Sequence, residues 1–224
     1  MFARLRPRPQ PQALFTTLNR RTLVYIKDGS LHARGMKKDP SEYMTSSTGI
    51  TYPGDSTTIK PIKDLLGQNY SIPDSLALQV LTHKSFAHGK KPFNERLANL
   101  GRQFLRVQTT EYAVSQKSSQ PTAIAGNNFD IDTKALELMS STAVLAQICK
   151  QIGINKSIFW KNPNTNQSPE RSGENTVCAK TVDALVGAVL MYHGESKAAE
   201  FVRQHFLEGE NSVLTLMNQL YKRN

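Results

Sequence analysis

The sequence predicts an all-α domain preceded by an irregular, basic N-terminal region, and three observations support this fold class. From residue 61 onward, apolar residues recur every three or four positions, the spacing that places them on one face of a helix. The segments between these periodic stretches are polar and rich in Asn, Ser, Gly and Pro. No stretch alternates apolar and polar residues for long enough to favour a half-buried strand.

The periodic stretches predict the helices in chain order. A short helix over residues 61–66 is followed by one that begins at Pro73, because proline is favoured in the first helical turn. The next helix covers 94–108, and its pattern allows a continuation through residue 114. The remaining helices are predicted over 134–152 with Gly153 as the stop, over 177–193 with Gly194 as the stop, over 197–207 with Ser196 as the cap, and over 211–221.

The chain divides into four parts. Residues 1–27 hold six basic residues and no acidic one, and resemble a mitochondrial transit peptide; a retained basic arm that binds nucleic acid is the alternative. Residues 28–59 are rich in Ser, Thr, Gly and Pro and are predicted to be a flexible or partner-ordered extension. Residues 60–207 form the predicted helical domain, and 208–224 hold a C-terminal helix.

Composition restricts the possible partners. The 224-residue chain has a formal net charge of +10, which suggests an anionic partner, although residues 28–224 carry only +4 of it. No apolar run reaches the roughly 18 residues that span a membrane, so we expect a soluble protein without a membrane partner. Cys149 and Cys178 lie in apolar helical patterns and are predicted to be buried free thiols. Scattered histidines and the lack of a CxxC motif argue against a metal site, and no cofactor is predicted.

A basic, acid-free stretch is the candidate RNA contact. Residues 75–94 contain no Asp or Glu, and the run THKSFAHGKK within them carries Lys84, Lys90 and Lys91. Such a cluster could track a phosphate backbone. The alternative is that these lysines are only solvated loop residues.

Four segments of the helical region read, in chain order, ALQVLTHKSFAHG, NERLANLGRQFL, ALELMSSTAVLAQICKQIGI and VCAKTVDALVGAVLMYHG. In this order they resemble the ribonuclease III family over residues 62–206. The resemblance implies the helical fold of the family's endonuclease domain. Four matching pieces in the family's order make a specific signal, whereas one alone would be weak.

The same resemblance implies that the nuclease site is degenerate. The family holds Mg²⁺ with carboxylates from two helices, and those positions fall here on Ala98, Arg102, Lys180 and Asp183. Only Asp183 retains a carboxylate. We therefore expect an inactive domain without catalytic residues or bound metal, in which Arg102 and Lys180 pair with Asp183 and Glu95.

Only 18 residues follow Phe206, so we expect no double-stranded RNA-binding domain of the bacterial type. With the apparent presequence, the chain resembles the short fungal ribonuclease III-like proteins of the mitochondrial large ribosomal subunit. That resemblance implies a matrix location, and rRNA, other mitochondrial ribosomal proteins and a second ribonuclease III-like subunit as partners, with no small-molecule substrate. Ala184, Gly187 and Ala188 are the candidate dimer surface; alternatively they only ease packing inside the monomer.

Two other functions stay open on the sequence alone. One is a mitochondrial RNA-processing or maturation factor that binds double-stranded RNA without cutting it. The other is an active nuclease that borrows a site from a catalytic partner in a heterodimer.

Overall fold

The computed structural model describes residues 24–27, 30–33, 43–118, 121, 123–129, 131–162, 167–208 and 212–221. The chain forms two compact units, over residues 1–38 and 39–224. The first contains an antiparallel hairpin of β1 (Val24–Lys27) and β2 (Ser30–Ala33), with Val24 opposite Ala33. Residues 1–23 of the predicted transit peptide lie outside the described residues. The hairpin was not predicted; its first strand, VYIK, is rich in residue types that favour strands.

The second unit is helical, as predicted. Its helices are α1 (Lys60–Leu66), α2 (Asp74–Leu81), α3 (Glu95–Ser115), α4 (Thr133–Met139), α5 (Thr142–Ile152), α6 (Pro169–Ser172), α7 (Glu174–His193), α8 (Glu195–Val202) and α9 (Val213–Tyr221). Short 3₁₀ turns lie at Phe86–Gly89 and Ile154–Ser157, and a π turn over Arg203–Leu207 continues α8. The all-α prediction is confirmed for this unit, and α3 takes the longer of its two predicted lengths.

Two predicted helix boundaries are wrong for local reasons. Residues 134–152 form two helices, because the Ser141 side chain accepts a hydrogen bond from the Val144 N–H and so starts α5 as a new helix. Ser196 does not cap α8, which begins one residue earlier, after Gly194. The predicted stop at Gly153 is correct: this residue has φ 82° and its N–H bonds back to the last turn of α5.

Helix α7 is the centre of the core. Every residue from Thr181 to Val189 is buried, because α2, α3, α5 and α8 all pack against it. A helix surrounded in this way needs apolar residues on all sides, which explains why 177–193 is the most apolar helical stretch of the sequence. Cys178 on α7 and Cys149 on α5 are buried free thiols, as predicted.

Helices α3 and α7 approach each other at two glycines. A Cβ atom placed on Gly187 would overlap the carbonyl oxygen of Leu97 and lie 3.1 Å from the Gly101 nitrogen. A Cβ on Gly101 would in turn overlap the Asp183 carbonyl oxygen and lie 2.5 Å from the Gly187 nitrogen. The two backbones are therefore in direct contact at this crossing, which only glycine at both positions allows.

This crossing corrects the predicted dimer surface. Ala184 and Ala188 are completely buried, and Gly187 faces the backbone of α3 in the same chain. The small residues do permit close helix approach, but the approaching helix belongs to the monomer. The alternative interpretation of this strip, packing inside the monomer, is the one that the structure supports.

Residues 43–59 were predicted to be part of a flexible or partner-ordered extension. In the structure they pack against the helical domain of the same chain. The Ser46 hydroxyl donates to the Ile158 carbonyl at 2.9 Å, and its oxygen accepts from the Trp160 N–H at 3.2 Å. The Tyr52 ring packs 5.3 Å from the Phe159 ring. These contacts join residues more than 100 positions apart, which a local reading of a Ser/Thr-rich segment cannot anticipate.

Candidate functional site

The four positions that the resemblance matches to metal ligands lie at the crossing of α3 and α7. Ala98 and Asp183 are buried there, Lys180 is half-buried and Arg102 is exposed. Arg102 is close enough to Asp183 to act on its ionisation, so the structure brings these two residues together. Ala98 contributes only apolar contact.

Asp183 is a buried carboxyl group with an incomplete hydrogen-bond set. It is 4% exposed, and its Oδ1 has no hydrogen-bond partner among the described residues. Loss of water raises the pKa of Asp183 from 3.8 to about 7, although the Arg102 guanidinium acts in the opposite direction. Burial therefore disfavours the charged form of Asp183 in the folded protein.

The predicted ion network of Arg102, Lys180, Asp183 and Glu95 does not form as direct ion pairs. Glu95 bonds instead to Lys84, with 2.5 Å between Oε1 and Nζ. This hydrogen bond holds the pKa of Glu95 below its usual range. The prediction was wrong because Lys84, eleven residues earlier in the chain, reaches Glu95 across the turn between α2 and α3.

The residues at these four positions do not fit a magnesium ion. Mg²⁺ requires oxygen ligands, and only Asp183 supplies one here. The two cationic side chains would oppose the ion, since each unit-charge pair about 4 Å apart repels by roughly 4 kcal/mol at an effective dielectric of 20. The structure groups no three His, Cys, Asp or Glu side chains suitably for a metal within its described residues.

The three lysines of the candidate RNA contact lie on the turn between α2 and α3. Backbone hydrogen bonds from the His83 N–H to the Phe159 carbonyl and from the Asn94 N–H to the Thr82 carbonyl, both 2.9 Å long, hold this turn in place. The ammonium of Lys90 lies 5.4 Å from the Tyr43 ring centre, and that of Lys91 lies 5.0 Å from the Tyr52 ring centre. Neither of these two lysines forms an ion pair within the part of the chain that the structure describes, whereas Lys84 is paired with Glu95.

A recess of about 510 Å³ opens beside this crossing, and the sequence did not predict it. Lys180 connects the recess to the degenerate site. The other residues around it come from the turn after α2, from the segment after Phe159 and from the start of α7: His83, Ser85, Trp160, Lys161, Ser172, Gly173, Thr176 and Val177.

One hydrogen bond connects the segment after Phe159 to the turn after α2, and a second one lies within that turn. The Lys161 N–H donates to the Ser85 hydroxyl oxygen at 3.1 Å, and the Ser85 N–H donates to Nδ1 of His83 at 3.2 Å. Two sequence signals lie at this recess: the acid-free run 75–94, which contains His83 and Ser85, and Lys180. Trp160 and Lys161 lie about 75 residues away in the chain and gave no signal, because their proximity depends on the bridge between Thr82 and Phe159.

Within the described residues, no helix has the length and apolarity needed to cross a membrane.

Comparison of the sequence with known proteins identifies relatives of this helical domain. The family model described as ribonuclease-III-like matches residues 73–209, which is more than half of the chain. The chain is 31% identical to the large ribosomal subunit protein mL57 of Neurospora crassa over 141 residues, covering 57% of this chain and 52% of that protein. It is 28% identical to ribonuclease 3 of Corynebacterium diphtheriae over 165 residues, covering 73% of this chain and 62% of the enzyme.

A solved structure shows the same fold. The nuclease domain of ribonuclease III from Campylobacter jejuni superimposes with a TM-score of 0.50 at 20% identity, over 73% of this chain and 95% of that domain. The chain spans only between half and two thirds of the length of the two sequence relatives. The match of the family model across the helical unit, supported by this shared fold, shows that the chain belongs to the ribonuclease-III-like family.

Proposed function

We propose that this protein is a non-catalytic, structural constituent of the mitochondrial large ribosomal subunit that binds rRNA. The observation that carries the proposal is that Ala98, Arg102 and Lys180 stand at the crossing of α3 and α7, where the family resemblance leads one to expect carboxylates. A domain that keeps the fold but cannot hold Mg²⁺ retains its surface for binding. The similarity to a large ribosomal subunit protein supports the same conclusion.

The location in the mitochondrial matrix is part of this proposal. It is supported by the Arg-rich, acid-free residues 1–27. A second ribonuclease III-like subunit is also proposed as a partner. It has to use exposed side chains, such as Leu100 and Val107 on α3, because the small residues of α7 are buried inside the monomer.

Sedimentation tests the proposed role directly. We expect an epitope-tagged chain in mitochondrial extract to co-sediment with the large ribosomal subunit, and to remain there at high salt, because a structural component is held by many contacts. Mass spectrometry of that fraction identifies the neighbouring proteins. A chain that leaves the subunit at high salt would instead fit an RNA-processing factor that binds double-stranded RNA without cutting it. Mg²⁺-dependent cleavage of double-stranded RNA by the purified complex would contradict the non-catalytic assignment.

The basic turn gives a second prediction. Replacing Lys90 and Lys91 together with alanine is expected to weaken RNA binding without sequence preference. It should also reduce the salt dependence of binding, because fewer counterions are released from the RNA. Filter binding at several salt concentrations measures both effects.

The matched control is Lys84→Ala. We expect this change to have the smaller effect on RNA affinity, since Glu95 already neutralises Lys84. Equal losses for the single and the double variant would show that the pairing with Glu95 does not persist in the RNA complex. Unchanged affinity in the double variant would remove this turn from the RNA contact.

A further inference from the structure

The recess beside the α3–α7 crossing has the size and lining of a ligand site. Its volume of about 510 Å³ lies within the range of roughly 300–1,000 Å³ that is usual for small-molecule and cofactor pockets. Trp160 and Val177 supply apolar wall, and both are buried side chains of the core. The recess is therefore part of the folded domain and not a gap between surface side chains.

Polar and cationic groups stand around this apolar wall. Lys161 and Lys180 are the charged residues of the lining, and Ser85, Ser172 and Thr176 supply hydroxyl groups. No acidic residue occurs among the described residues that line the recess. An apolar interior with a cationic edge matches a ligand that has a flat apolar part and a negative charge.

His83 adds an uncharged imidazole ring to the lining. Burial, and then the nearby charges of Lys180 and Lys84, lower the pKa of His83 to about 4, so its ring is uncharged at neutral pH. Its Nδ1 lies 2.9 Å from the Ser85 hydroxyl oxygen and 3.2 Å from the Ser85 backbone nitrogen. The positive charges of Lys180 and Lys161, and not the pKa of His83, are what would attract an anion to this recess.

We propose that this recess binds one unpaired nucleotide of an RNA strand, with the base against Trp160 and Val177 and the phosphate beside Lys161 and Lys180. Aromatic side chains and cations are the groups with which proteins hold single-stranded nucleic acid. Bases in a duplex are stacked and paired and cannot enter a recess, so the bound nucleotide has to come from a loop, a bulge or an end. This inference rests on the proposed RNA contact and specifies it.

Trp160 provides a direct readout, because it is the only tryptophan in the chain. We expect its fluorescence to be quenched when the full chain is titrated with a single-stranded oligouridylate of about eight nucleotides. The duplex with oligoadenylate, and an oligomer of abasic sites with the same number of phosphates, should bind through the charges with little quenching. Free uridine monophosphate should quench only at concentrations about 100-fold higher or more, which separates a nucleotide of RNA from a free nucleotide as the ligand.

Two variants and a control connect the signal to the recess. Thr176 is exposed at the recess, so Thr176→Phe should fill the opening without disturbing the core and should weaken the quenching interaction at least tenfold. Lys180→Ala should weaken it about tenfold as well. Lys134→Ala removes an exposed lysine of α4 that does not line the recess, and should change nothing. Circular dichroism checks that each variant is folded.

Four results would overturn the assignment. They are equal quenching by the abasic oligomer, unchanged quenching in Thr176→Phe, binding of the single strand by fluorescence anisotropy without quenching, and no binding of the single strand at all. The sedimentation experiment is independent of these results, since a chain can remain with the ribosome through other contacts. Failure of the recess to bind a nucleotide is thereby distinguishable from failure of the proposed ribosomal role.

Discussion

Replacing Gly187 with leucine is expected to destabilise the domain by roughly 3 kcal/mol or more. Overpacking a core typically costs 1–3 kcal/mol when neighbouring side chains can adjust. Here the first added atom would overlap the Leu97 carbonyl oxygen and crowd the Gly101 nitrogen, so two helix backbones would have to separate. Thermal unfolding followed by circular dichroism measures the loss.

The second helix supplies a test of the same contact. Gly101→Ala should also be strongly destabilising, because its Cβ would meet the backbone of Asp183 and Gly187. The matched control is Ala143→Leu, which adds bulk to an exposed position of α5 and should leave the unfolding midpoint nearly unchanged. If Gly187→Leu gives a stable monomer that has lost a partner subunit, the small residues belong to an intermolecular interface after all.

Replacing Asp183 with asparagine is expected to stabilise the domain at pH 8 by roughly 2–4 kcal/mol. The pKa of Asp183 is about 7 in the folded protein and 3.8 in its ordinary range, and each unit corresponds to 1.36 kcal/mol. The folded state therefore binds more protons than the unfolded state between these two values. The contribution of Asp183 to stability should be fully present below about pH 4 and should be lost as the pH rises to about 7.

The pH dependence distinguishes this effect from a general gain in packing. The advantage of Asp183→Asn should shrink as the pH falls and disappear near pH 4, where the wild-type carboxyl is protonated. Denaturant unfolding at pH 4, 6 and 8 measures it. Asp64→Asn, on the exposed surface of α1, is the control and should show no such trend. A gain that persists at pH 4, or no gain at pH 8, would contradict the buried-charge explanation.

The surroundings of Asp183 also show how the proposed degenerate site is compatible with a stable fold. In a member of this family with a full set of carboxylates, a bound cation would offset the cost of burying them. Here Ala98 removes one such cost, and Arg102 lies near the remaining carboxylate and lowers its pKa. The exposed guanidinium recovers only part of the cost, because Asp183 Oδ1 still lacks a hydrogen-bond partner among the described residues.

Local patterns were sufficient for most of the helices. The spacing of apolar residues predicted α1, α2, α3 and α7, because a helix that buries one face repeats its apolar residues every three or four positions. Glycine stops predicted the ends of α5 and α7. The break between α4 and α5 was missed, since the apolar pattern continues through it and only the Ser141 cap marks it. The packing of residues 43–59 was missed as well, because those contacts are made with a distant segment.

For the candidate site, the sequence by itself determined the chemistry of the four positions matched to metal ligands. The side chains at 98, 102, 180 and 183 are the same in any conformation, and three of them cannot be ligands of a hard cation. Tertiary structure alone decided which groups pair, which are buried and what surrounds them. In the folded chain Glu95 forms an ion pair with Lys84, and Asp183 is buried. Gly187 packs against Gly101 of the same chain, and Trp160 and His83 line the same recess. The physical reason is that pairing, burial and pKa depend on distances between residues far apart in the chain, and helical periodicity constrains only neighbours within a few turns.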